Sequence, residues 1–225
     1  MEISGKNVIV HTSDVNGAPL VIVNTVHGEG EDVYSTVRSI VNSDFSYAAI
    51  AVPNWNDDMT PWPAPAIFPN GQPFGGHADS YLKDITDDIL PKIIDTIGYR
   101  PDRIVLAGYS LAGLFSLYSA YRTDVFSDIV SASGSFWYPG FIDFVDNNDM
   151  IMVPDSVYLS LGDREPRTRN MVMRRVGENT KHVFNLLGTK CSNIHFSWNP
   201  GNHFDNHIER LASGITWTIH PSKNM

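Results

Sequence analysis

The sequence is poor in cysteine and in positive charge. Its 225 residues include one cysteine, Cys191, so no disulfide can form within the chain. Lysine and arginine number 16 against 25 aspartates and glutamates, which gives a formal net charge of −9. Phosphate binding needs a basic stripe, and none is visible in this acidic chain. We therefore expect no nucleic-acid partner.

Long hydrophobic runs are also missing. No apolar stretch approaches the roughly 20 residues of a membrane-spanning helix, so we expect no membrane association. Residues 1–10 lack the basic segment and the apolar run of a signal peptide, which makes a cytoplasmic location the default expectation. No Ser/Gly-rich linker divides the chain, and one domain over residues 1–225 is favoured. The oligomeric state stays open, a homo-oligomer included.

Short apolar runs alternate along the chain with segments of helical periodicity. Strands are predicted at residues 8–11, 19–26, 47–52, 104–107, 129–133, 156–161 and 194–198. Helices are predicted at residues 33–41, 81–97, 169–187 and 204–219, and another directly after residue 110. This alternation is typical of an α/β protein with a mainly parallel central sheet and helices on both faces.

A serine among small residues follows the predicted strand at 104–107. Residues 108–112 read Gly-Tyr-Ser-Leu-Ala, which fits Gly-x-Ser-x-Gly with alanine in the last place. A tight strand-to-helix corner would raise the Ser110 hydroxyl at the carboxyl end of the sheet and direct the backbone N–H of Leu111 at an oxyanion. An ordinary turn is the alternative. The strand before the serine and the helix after it favour a nucleophile.

A serine hydroxyl is a weak nucleophile and needs a base, normally a histidine oriented by a carboxylate. Of the eight histidines, only His203 follows the last predicted strand in a short loop, at residues 199–204. The carboxylate is expected after the preceding strand, where Asp163 and Glu165 both stand. From the residues alone either could orient His203, and the other would pair with a neighbouring arginine in a solvated turn.

The loop after the predicted strand at 19–26 reads His27-Gly28-Glu29-Gly30. In α/β proteins such a loop lies at the carboxyl edge of the sheet, where ligands bind. The backbone N–H of Glu29 could therefore supply a second oxyanion donor. A plain turn into the next helix explains the residues equally well.

Residues 53–76 are rich in proline and aromatic residues, and we predict a long loop without regular elements, folded back near the candidate site. Trp55 and Trp62 lie on this loop, and Trp137 follows the predicted strand at 129–133. Together with Tyr109, they are candidates for contact with a substrate. A packed flap without ligand contact is the alternative for the loop.

The motifs at residues 108–113, 162–165 and 201–203 together resemble the α/β-hydrolase superfamily, and most of all its esterase D and enterochelin-esterase-like branch, which includes feruloyl esterase domains. The resemblance extends from about Pro19 to the end of the chain. It implies a serine carboxyl-ester hydrolase that forms an acyl-enzyme on Ser110, takes a small-molecule ester, and uses no metal or organic cofactor.

The same resemblance implies roles for individual residues. Feruloyl esterases of this type carry the acid at the position of Glu165, although Asp163 competes for it. His27-Gly28 matches the oxyanion loop of the family, which favours Glu29 as a donor. Two alternatives to the esterase remain: a non-catalytic ligand-binding protein that kept the fold, and an acyltransferase.

Overall fold

The structure is a computed structural model that describes residues 1–26 and 28–220. The strands are β1 (Glu2–Ile3), β2 (Lys6–His11), β3 (Leu20–Thr25), β4 (Ser46–Ala51), β5 (Ile104–Tyr109), β6 (Asp128–Ala132), β7 (Ser156–Gly162) and β8 (Ile194–Asn199). The α-helices are α1 (Gly30–Ile40), α2 (Trp55–Asp58), α3 (Ala78–Asp84), α4 (Leu90–Ile97), α5 (Leu111–Ser119), α6 (Phe141–Asn147), α7 (Val176–Leu187) and α8 (His207–Ile219).

The strands form one sheet in the order β1-β2-β4-β3-β5-β6-β7-β8. The β1/β2 and β2/β4 pairs are antiparallel, and every pair from β4 to β8 is parallel. The predicted mainly parallel sheet is confirmed. Because parallel strands end at one edge, the loops after β3, β5, β6, β7 and β8 meet there.

Helices cover both faces of the sheet, as predicted. All six residues of β3 are buried, which is typical of a parallel strand with helices on each side. Val21 and Val23 belong to the core under α1 and α8, whereas Leu20 and Ile22 belong to the core under α4, α5 and α7. In the part of the chain that the structure describes, no helix is long and apolar enough to cross a membrane.

The helix predicted at residues 81–97 is longer and interrupted. α3 begins at Ala78, and a π-helical turn at Ile85–Ile89 connects it to α4. Pro91 follows that turn and lacks the N–H that would bond to the carbonyl of Asp87, so the local departure from α-helical bonding has a covalent cause. Gly98 ends α4 with φ of +78°, in the left-handed region that glycine adopts easily.

Two further predicted segments differ from the structure. The helix predicted at 169–187 begins only at Val176, because the Asn170 carboxamide accepts the N–H groups of Val172 and Met173 and holds a separate turn. The loop at 53–76 was predicted without regular elements, but it contains α2, between Pro53 and Pro61, and an antiparallel bridge that joins Ala64 and Phe74. β1 and α6 were not predicted from the sequence.

Candidate active site

Ser110 occupies a strained corner between β5 and α5. Its φ of +61° and ψ of −121° lie in a region that residues with side chains rarely adopt. A Cβ added to Gly108 would lie 2.3 Å from the carbonyl of Ala112, and one on Gly113 would lie 2.9 Å from Ser131 Oγ. Close packing around the corner therefore requires the small residues that flank the serine. The corner is held by hydrogen bonds from Ser110 N–H to the Ala132 carbonyl and from Ser135 N–H to the Ser110 carbonyl, each 3.1 Å.

The structure brings Ser110, His203 and Glu165 together from the loops after β5, β8 and β7. Ser110 Oγ lies 3.0 Å from His203 Nε2, and His203 Nδ1 lies 2.7 Å from Glu165 Oε2. An ionised carboxylate can only accept, so Nδ1 carries the proton and Nε2 accepts the Ser110 hydroxyl. In this arrangement the unprotonated Nε2 of His203 can take the proton of the Ser110 hydroxyl, with the Glu165 carboxylate on the other side of the ring.

Asp163 lies near these groups but does not contact His203. Its Oδ1 accepts the N–H of Gly201 at 2.8 Å and so ties the loop after β7 to the loop after β8. Glu165 Oε1 accepts the Gly162 N–H at 2.7 Å and the Ser133 hydroxyl at 2.8 Å. Of the two candidate carboxylates, the structure brings Glu165 to His203.

Arg210 was not predicted from the sequence as a residue of the site. Its side chain is 3% exposed, and its Nη1 lies 3.3 Å from Glu165 Oε1. The same guanidinium donates to the Tyr109 hydroxyl at 3.2 Å and to the Pro200 carbonyl at 2.8 Å. The only signal in the sequence is an arginine at an otherwise apolar inward position of α8, beside Leu211.

Tyr109 and Ser133 support the same group of residues. The Tyr109 hydroxyl donates to the backbone carbonyl of His203 at 2.5 Å. Burial raises the pKa of Tyr109, so the hydroxyl keeps its proton and donates at neutral pH. Ser133, which bonds Glu165, has φ of +47° at the end of β6. The loop that bears His203 is therefore fixed to the strand that bears Ser110.

A first cavity, of about 360 Å³, opens beside Ser110. Its apolar lining consists of Val26, Val33, Trp55, Phe204, Ile208 and Leu211. Tyr109 and Glu29 also line it. Leu111 begins α5, so its N–H has no partner one turn earlier in the helix. His27 lies outside the described residues, and Gly28 has φ of +75°.

A second cavity, of about 380 Å³, also borders His203 and is lined by Trp137, Phe68 and Phe204. The loop at 53–76 thus reaches both cavities, through Trp55 and Phe68. Trp62 lines neither of them: its Nε1 donates to the Pro139 carbonyl at 2.8 Å, and its ring packs against aromatic side chains of α5 and α6. Of the four predicted substrate contacts, the structure brings Trp55, Trp137 and Tyr109 to the cavities.

Residues 34–194 match the model of a protein family described as "Putative esterase". The chain is also 27% identical over 191 residues to the uncharacterized protein YbbA of Bacillus subtilis (strain 168). That match covers 80% of this chain and 75% of YbbA.

Solved structures of a serine hydrolase and of an esterase are similar in fold. An IroE-like serine hydrolase from Shewanella oneidensis superposes with a TM-score of 0.75 at 16% identity, over 94% of this chain and 74% of that protein. An enterochelin esterase from Shigella flexneri superposes with a TM-score of 0.72 at 19% identity, over 96% of this chain and 55% of the enzyme. The predicted α/β-hydrolase fold is confirmed.

Proposed function

We propose that this chain, which belongs to the putative esterase family, is a serine ester hydrolase that acts through a covalent acyl-enzyme on Ser110. The observation that carries the proposal is the continuous hydrogen-bonded row of Ser110, His203 and Glu165 at the carboxyl edge of the sheet. The row borders a cavity large enough for a small-molecule ester.

The first half of the proposed reaction forms the acyl-enzyme. His203 Nε2 takes the hydroxyl proton as Ser110 Oγ bonds to the carbonyl carbon. The Glu165 carboxylate stabilises the imidazolium that results. The backbone N–H groups of Leu111 and Glu29 stabilise the negative charge on the former carbonyl oxygen. His203 then protonates the alcohol oxygen, the ester C–O bond breaks, and the alcohol leaves.

The second half repeats these steps with water. His203 Nε2 takes a proton from the water as its oxygen attacks the acyl carbon, and the imidazolium returns that proton to Ser110 Oγ as the acyl bond breaks. The carboxylic acid is released and the enzyme is restored. Every proton in this sequence moves between the substrate, water and the side chains of Ser110 and His203.

Fluorophosphonate labelling tests the nucleophile, because the reagent needs an activated serine. The wild-type protein should be modified at Ser110, and Ser110→Ala should not be labelled. Ser213→Ala, which changes an exposed serine of α8, is the matched control and should be labelled normally. Peptide mapping that found the adduct on Ser135, whose Oγ lies 3.4 Å from that of Ser110, would contradict the assignment.

Hydrolysis of p-nitrophenyl acetate tests the base. Ser110→Ala and His203→Ala should each lower kcat by about 10⁴-fold or more, and the double variant should be little worse than either. Circular dichroism checks that the variants fold. Additive losses would mean that the serine and the histidine do not act as a unit.

A further inference from the structure

The second cavity beside His203 has an aromatic and apolar wall that reaches the protein surface. Phe68, Trp137, Met173 and Phe204 form this wall. Phe68 is 54% exposed and Phe204 is 85% exposed. Large apolar side chains left exposed at the rim of a cavity are typical of a ligand-binding surface.

The wall is held in place by contacts between two loops. The Asn170 side chain donates to the Ile67 carbonyl at 2.8 Å and so ties the loop at 53–76 to the segment after β7. A Cβ added to Gly177 would lie 2.7 Å from Cγ of Pro166, which shows how closely that segment packs on α7. These contacts fix the two sides of the cavity relative to each other.

Positive charge is concentrated in the segment that borders this cavity. Residues 164–175 carry five of the 16 lysines and arginines of a chain whose net charge is −9. These five are Arg164, Arg167, Arg169, Arg174 and Arg175. Arg164 and Arg167 line the cavity itself.

The carboxylates nearby do not neutralise this charge. Within residues 1–26 and 28–220, no salt bridge joins any of the five arginines to a carboxylate. Glu165 is engaged with His203 and Arg210, and Asp163 bonds the Gly201 N–H. The guanidinium groups of Arg164 and Arg167 can therefore bind an oxyanion of a ligand.

The two cavities lie on opposite sides of the strand that bears Ser110. The first is lined by residues after β3, and the second by residues after β7; β3 and β7 flank β5 on different sides of the sheet. An ester whose carbonyl carbon lies at Ser110 can place one half in each cavity. Both cavities border His203, but only the first borders Ser110, whose Oγ bonds to the acyl carbon. The first cavity therefore suits the acyl half, and the second suits the alcohol half, whose oxygen receives its proton from His203.

We propose that the second cavity binds an anionic alcohol half of the substrate, with a carboxylate or similar oxyanion held by Arg164 and Arg167 and an apolar or aryl portion against Phe68 and Phe204. The proposal rests on the proposed function, since the ligand is the ester that Ser110 attacks. In this proposal Arg164 and Arg167 bind the substrate and take no part in the chemical step.

A matched pair of esters tests the proposal. 3-Carboxyphenyl butyrate carries the anion on its alcohol half, and 3-carbamoylphenyl butyrate is a neutral ester of nearly the same shape. The wild-type enzyme should have the higher kcat/KM for the anionic ester. Arg164→Met/Arg167→Met should reduce kcat/KM for that ester by about 10- to 100-fold, mainly through KM, and should change the neutral ester by less than about threefold.

Three controls sharpen the result. Arg174→Met/Arg175→Met removes the same two charges from the same segment, but neither arginine lines the cavity, so the preference for the anionic ester should persist. Arg164→Lys/Arg167→Lys should retain part of the preference, because the charge is kept and the planar fork is lost. Raising the salt concentration should reduce the wild-type ratio of kcat/KM for the anionic ester to kcat/KM for the neutral ester, since exposed charges are screened.

Three other outcomes would contradict the anion site, the assignment of the alcohol half or the proposed function. Equal kcat/KM for both aryl butyrates, with normal fluorophosphonate labelling of Ser110, would overturn the anion site and leave the serine mechanism intact. An arginine-dependent preference for mono-4-nitrophenyl adipate over 4-nitrophenyl hexanoate, absent from the aryl butyrate pair, would overturn the assignment of the alcohol half. Loss of labelling and of all ester hydrolysis would instead contradict the proposed function.

Discussion

Glu165 and Arg210 form a buried ion pair directly behind His203, with 3.3 Å between Oε1 and Nη1 and side-chain exposures of 5% and 3%. The two oxygens of the Glu165 carboxylate have different partners. Oε1 faces Arg210, Ser133 and the Gly162 N–H, while Oε2 faces His203. A buried ion pair is costly to form, and removing one partner leaves the other charge without compensation. Arg210 is therefore a positioning residue for the carboxylate.

Replacement of Arg210 by methionine should reveal this role in two ways. The uncompensated Glu165 charge should lower the free energy of unfolding by about 3–5 kcal/mol, measured in urea. Hydrolysis of p-nitrophenyl acetate should also slow, through a lower kcat with little change in KM. The reason is that Glu165 Oε1 loses the contact that holds the carboxylate toward His203.

Arg210→Lys keeps the charge and is the second variant. It should recover part of the lost stability and part of the lost kcat, because the charge is kept but the lysine cannot reach Glu165, Tyr109 and Pro200 together. If Arg210→Met loses stability while kcat stays near the wild-type value, the arginine has a structural role alone.

Glu165→Gln and Asp163→Asn should have unequal effects. An amide in place of Glu165 keeps the size but loses the charge that stabilises protonated His203, so kcat should fall by about 10⁴-fold, as for the corresponding change in a well-studied protease. The amide oxygen that Asp163→Asn introduces would still accept the Gly201 N–H, so this variant should stay within a few-fold of wild type. Thermal unfolding of both variants controls for folding. Near-normal rates for both would place the protein with enzymes that use a Ser–His pair, and a larger loss in Asp163→Asn would reverse the assignment.

The elements that could be predicted correctly are those with a strong local pattern in the sequence. Buried parallel strands such as β3 are continuous apolar runs, and the order of strand and helix along the chain is typical of this sheet. α6 was missed because only seven residues form it, and α7 was predicted too long because Asn170 competes locally for backbone N–H groups. A single domain, a cytoplasmic location and a homo-oligomer stay predictions.

The candidate site was predictable where a residue follows a strand. Ser110, Glu165 and His203 each stand just beyond a strand's carboxyl end, which sequence spacing can indicate. Arg210 lies within α8, and its contacts come from four separate segments, so no local pattern marks it. Trp62 was predicted to contact a substrate because its position in the loop resembles that of Trp55. Its ring packs against α5 and α6 instead.

Cys191 should be unreactive in the folded protein. Its side chain is buried, and burial raises the pKa of the thiol to about 11. At pH 8 roughly one thiol in a thousand would be ionised, and the thiolate is the reactive form. Ellman's reagent should therefore react slowly in buffer and rapidly with one thiol per chain in denaturant. Rapid reaction in buffer at pH 8, with no unfolding detected by circular dichroism, would contradict this prediction.

Substitutions of the tryptophans should show which rings affect substrate discrimination and which affect stability alone. Trp55 lines the first cavity, so Trp55→Ala should alter relative kcat/KM across p-nitrophenyl esters of increasing acyl length, by about 1–3 kcal/mol between the ends of the series. Trp137 lines the second cavity, so Trp137→Ala should alter the ranking of aryl alcohols instead.

Trp62→Ala is the matched control for these two variants. Removing a large ring from the cluster with Tyr118 and Phe144 should cost about 3–5 kcal/mol of unfolding free energy, and the order of preferred esters should not change. A uniform loss of kcat/KM across the ester series in Trp55→Ala would indicate that the loop at 53–76 is a structural flap. A changed ester ranking in Trp62→Ala would mean that the cluster shapes the first cavity from a distance, because Trp62 itself does not line it.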